Sequence, residues 1–101
     1  MLFVITMEHP PELCFAKKEY TADGKHWLDT MEERAKSLEI KIHGAYLSTI
    51  EHTFYFILEA NDVGSISEFF NPPMLTHHRA RISPVVDPRK AFALPFVKEN
   101  L

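Results

Sequence analysis

Cysteine is almost absent from the 101-residue chain: Cys14 is the only one, so no internal disulfide can form and a reducing, cytoplasmic setting is the expectation. Glycine is scarce as well, with three residues, which argues against a loop-rich or low-complexity chain. Basic charge is in deficit. The formal net charge of −3 supplies no field to draw in phosphate backbones, so nucleic acid is not expected as a partner. No stretch approaches the roughly 20 apolar residues of a membrane helix. The opening MLFVITMEHPP has neither the basic flank nor the small-residue cleavage site of a signal peptide, so no membrane partner is expected. Metal motifs with fixed spacing, such as HExxH or CxxC, are missing too, as are internal repeats.

What is present reads as one domain over residues 1–101, with 46% hydrophobic and 25% charged residues. Leu2 to Met7 is a short, nearly all-apolar run that predicts a central strand covered on both faces. From Glu8 to about Thr21 the pattern breaks at Pro10-Pro11, leaving a connection long enough to suggest a functional loop. Trp27, Met31, Arg34/Ala35 and Leu38 recur at helical spacing, predicting a helix over about 21–39 that Thr21 or Asp23 caps. Ile40–Ser48 and His52–Ala60 predict an antiparallel hairpin. Asn61 or Asp62 begins a second helix with Val63, Ile66, Phe69 and Phe70 on one side, stopped by Asn71-Pro72-Pro73. A last strand is predicted from about Thr76 to Val85. Residues 86–101 form a C-terminal extension too apolar at Ala91–Val97 for a free tail, so it should pack on the domain or on a neighbouring subunit.

The order β-α-β-β-α-β is that of an α+β, ferredoxin-like split βαβ fold: an antiparallel sheet with two helices on one face. In that topology the end of the first strand, the start of the first helix, the hairpin and the start of the last strand share one pole. His9, Cys14, His26, His52, His77 and His78 all fall there, while His43 lies mid-strand. Imidazole and thiolate are preferred ligands of zinc, copper, nickel and iron, so His9, Cys14, His52, His77 and His78 are the candidate set for a transition-metal cofactor. The same pole can do acid–base work, with His77 or His78 as the base and Tyr55 as its orienter. As adjacent residues of an extended segment, those two histidines should point to opposite faces. Arg79 and Arg81 alternate with His77 along the last strand and, with His43, are candidates for holding a small anionic ligand; edge strands also carry such charges simply to discourage pairing.

With its start at Met1-Leu2-Phe3-Val4 and Pro72-Pro73-Met74-Leu75 leading into the last strand, the chain resembles the dimeric α+β-barrel superfamily over residues 1–88, in particular muconolactone-isomerase-like and other short single-domain members. The resemblance implies a homodimer of face-to-face sheets with a cavity for a small molecule. It also implies a choice between isomerase-like proton transfer and a noncatalytic binding or regulatory role, and it fixes no catalytic residue here.

Overall fold

The computed structural model describes residues 1–100. Its four strands, β1 (Leu2–Glu8), β2 (Lys41–Ser48), β3 (Thr53–Glu59) and β4 (Arg79–Val85), form one antiparallel sheet in the order β2-β3-β1-β4. Because β3 lies antiparallel between β1 and β2, those two run parallel across the intervening strand, an arrangement compatible with a ferredoxin-like fold.

One face of the sheet carries the core. Phe3, Ile5 and Met7 of β1 and Phe54, Phe56 and Leu58 of β3 are buried against Trp27, Ala35, Ile66, Phe69 and Phe70. The other face is uncovered, with Val4 and Ile57 each 36% exposed. The expectation that β1 is covered on both faces therefore fails for the single chain: its residues alternate strictly, and only the odd positions meet helices.

The predicted first helix is divided into α1 (Thr21–Asp29) and α2 (Met31–Ser37). The Thr30 hydroxyl donates back to the His26 carbonyl at 2.8 Å, a side-chain bond that bends helices. Arg34 holds the junction by donating to the carbonyls of Trp27 and Phe69 while its guanidinium stacks 4.6 Å from the Trp27 ring. Neither predicted cap operates at α1. Tyr20 occupies the cap position, and the Thr21 hydroxyl donates instead to the Phe15 and Lys17 carbonyls, pinning the preceding loop. At α3 (Val63–Phe69), Asp62 does cap, accepting from the Ser65 amide at 2.7 Å.

The last strand starts at Arg79, three residues later than expected. Met74–His77 form a helical turn, α4, anchored by the fully buried Met74 side chain. Beyond β4, α5 (Pro88–Ala91) and α6 (Pro95–Asn100) extend away from the domain, with Phe92 58% and Phe96 74% exposed. The radius of gyration is 15.7 Å, against about 13 Å for a compact 100-residue domain. The C-terminal segment thus leaves the aromatic side chains of its far part uncovered, while Lys90 of α5 lines a surface pocket with Leu2, His43 and Glu59.

Candidate metal centre

His9 directly follows β1 and continues the inward series Phe3, Ile5, Met7, so its imidazole is delivered to the end of the core, only 7% exposed. Its amide donates to the His52 carbonyl at 3.1 Å, tying the first loop to the hairpin. His52 closes that hairpin with φ 53°, in the left-handed region, and its ring lies 5.3 Å from that of His9, centroid to centroid. Pro10 and Pro11 turn the chain through a 3-10 turn, Pro11–Leu13, which brings Cys14 back towards the same spot. Phe15 next to it lies against helix α1 at Gly24, where an added Cβ would sit 2.5 Å from the Phe15 Cγ.

The outcome is a cluster in which one ring nitrogen each from His9 and His52 and the Cys14 Sγ lie within 4.8 Å of one another, close enough to bind a metal ion. A tetrahedral zinc ion with its usual bond lengths would hold such donors about 3.3–3.6 Å apart. Uptake then draws the set together by about 1 Å, a movement open to the side chain of Cys14 on its loop.

The proton arrangement behind His9 follows from its neighbours. The Met74 carbonyl can only accept, so His78 donates to it from Nδ1 at 2.8 Å. Burial pushes the His78 pKa down to about 4, so the ring is neutral near pH 7 and its Nε2 is a bare acceptor. His9 must then donate to it from Nδ1, at 2.9 Å. This leaves His9 Nε2 with a free lone pair, and that atom is buried without a hydrogen-bond partner among the described residues. Burial, followed by the nearby His52 and His77, lowers the His9 pKa also, which favours the neutral form that a metal needs. A ligating imidazole whose other nitrogen is fixed by a hydrogen-bond chain is the usual outer support of a metal site.

Of the five residues expected as ligands, three converge, His78 serves as the support of His9, and His77 stays outside. The His77 ring lies at the end of α4, 4.7 Å from Tyr20 and 5.6 Å from Phe15. The expectations that His77 and His78 open the last strand as adjacent extended residues, and that His77 shares a face with Arg79 and Arg81, are corrected by that helical turn, which ends just before β4. His26 is exposed on α1 and joins none of the cluster's ring contacts among the described residues.

Tyr55 lies on the uncovered sheet face, donating to Glu51 at 2.7 Å, which raises its pKa; with Arg79 and Arg81 it lines a separate surface pocket of about 260 Å³. His43 is at the opposite pole, 3.1 Å from Glu59, which it holds below the usual carboxylate range. The structure therefore does not bring His43 together with the two arginines.

The three donors face a cavity of about 210 Å³ whose remaining walls are Phe15, Ala16, Leu47, Thr49 and Phe54. Neither these wall residues nor the Met74 carbonyl belongs to the set expected from the sequence. One signal was available: the period-two series ending at His9 places an imidazole on the core side of β1.

Gly24 ties this loop to the fold. Gly24→Ala is expected to destabilise the protein by about 1–3 kcal/mol, because the root of the Phe15 side chain has nowhere to move without displacing the loop. Chemical denaturation checks this, and the variant's metal affinity should fall with it.

No protein-family model matches the chain, and a search of curated proteins finds no significant relative either. None of the helices among the described residues is long and apolar enough to cross a membrane.

Proposed function

We propose that this protein binds a transition metal ion through His9, Cys14 and His52, with zinc as the ion that two imidazoles, a thiolate and one open position suit best. The observation that carries this reading is the buried Nε2 of His9, which has no hydrogen-bond partner among the described residues, on a ring that His78 and the Met74 carbonyl hold beside a second imidazole and a thiol. A buried polar atom without a partner costs about 1–3 kcal/mol, and a bound cation removes that cost. Metal-free protein titrated with zinc in a calorimeter should bind one ion per chain; no uptake above that of a Cys14→Ala variant would refute the assignment. A cytoplasmic location suits a thiol ligand, since an oxidising compartment would compete for it.

We infer, second, that the chain forms a homodimer, as a ferredoxin-like α+β-barrel subunit would. Two features support this: a sheet face on which Val4, Ile57 and Tyr46 remain accessible, and a projecting C-terminal segment bearing Phe92, Leu94 and Phe96. Light scattering should give twice the 11.7 kDa chain mass at micromolar concentration, and removal of residues 88–101 should weaken the dimer by about tenfold or more. A monomer mass for the full chain would end this reading.

Isomerase-like proton transfer has less support. Both ring nitrogens of His78 are engaged, and Tyr55 projects from the face opposite the one His9 continues. A noncatalytic binding role fits the geometry better.

A further inference from the structure

Resting on the metal reading above, we propose that the open coordination position takes the sulfur of a small thiol with an uncharged hydrocarbon body, which fills the cavity in front of the ion. The cavity fixes the body. Apart from the three donors, Phe15, Ala16, Leu47 and Phe54 supply apolar walls; among the described residues Thr49 is the one other polar contributor and no charged side chain lines the cavity. At about 210 Å³ it exceeds the roughly 150 Å³ that holds a benzene ring in an apolar protein cavity, so a single ring or short branched chain with one donor atom fits. Its small size and lack of charged groups leave a large or multiply charged ligand unaccompanied.

Charge fixes the head group. A divalent ion with one thiolate and two neutral imidazoles carries a net charge of about +1, and an apolar wall disfavours it. A monoanionic donor brings the centre to neutrality. Thiolate sulfur is the soft monoanion that ions chosen by Cys and His prefer over oxygen donors. In the binding step a sulfur–metal bond forms, the water at the open position leaves, and the thiol proton passes to solvent.

Cobalt(II) in place of zinc makes the step visible, because thiolate–cobalt charge-transfer absorption counts the bound sulfurs. Cobalt-loaded full-length protein would be titrated with phenylmethanethiol and, separately, with the charged 2-mercaptoethanesulfonate. The expected result is added thiolate absorption with both at saturation and an affinity about tenfold or more higher for the aryl compound, the worth of one or two buried methylene equivalents. Leu47→Lys, which places a cation at the half-exposed edge of the cavity, should reverse the preference when cobalt is held at saturation. Equal affinities for the two thiols, no added sulfur absorption, or a Leu47→Lys variant with unchanged preference would each overturn the proposal. A cobalt spectrum without the Cys14 thiolate band before any thiol is added is a different failure: it refutes the metal site, and this proposal falls with it.

Discussion

His52→Gly should lower zinc affinity by about 100-fold or more while leaving the fold as stable as before, or more stable by about 1 kcal/mol. The affinity loss follows from sharing the roughly 10–16 kcal/mol of a structural zinc site among four ligands, about 3 kcal/mol each. The stability gain follows from the backbone: His52 sits at φ 53°, a conformation that costs a residue with a Cβ about 1 kcal/mol and glycine almost nothing. The two effects have opposite signs, which is what makes the variant informative. If His52 were retained only to shape the hairpin, glycine would serve as well or better and zinc binding would survive. Calorimetric zinc titration beside urea denaturation of the metal-free protein checks both halves, and intact zinc affinity would remove His52 from the site.

The metal-free protein should lose about 3 kcal/mol of stability as the pH falls from 6.5 to 4, through His78. Its folded-state pKa is pushed to about 4 by burial, whereas the unfolded chain titrates near 6.5. Between those values the unfolded state binds the extra proton, so stability rises with pH across the window. About one pH unit above 6.5 both states are neutral and this contribution is level; below about 4 nearly the full cost is present. Protonated His78 would also offer a second N–H to His9 Nδ1 in place of its lone pair, breaking the chain that runs to Met74. His78→Gln keeps an acceptor and a donor but does not titrate, so its stability should depend less on pH than wild type. Urea midpoints at pH 4, 5, 6 and 7 in the presence of a chelator measure the slope, and parallel curves for the two proteins would rule His78 out as its source.

The pole that gathers the histidines was legible from strand order and direction, because a chain leaving the end of β1 beside the start of its antiparallel neighbour β3 must bring residues 9 and 52 together. Four of the five histidines expected there are present. His26 is not: one residue from Trp27, it is turned outward on α1 by the burial of that indole. Which of the four are ligands was not legible. That depended on Met74, whose buried side chain winds 74–77 into a turn and so converts His78 from a strand residue into a donor to that turn's carbonyl.

By itself the sequence determined the four strands, a helical segment after the first and third of them, and the inward placement of His9, since these are written in spacings of two and of three to four residues between near neighbours. Only the tertiary structure decided that Cys14 joins His9 and His52 and that their three donor atoms converge within 4.8 Å. Their approach depends on the path of a proline-turned loop held by Gly24 and Thr21, and on a left-handed residue closing a hairpin. Periodicity encodes neither the path of an irregular loop nor the contact of Cys14 with His52, 38 positions further on.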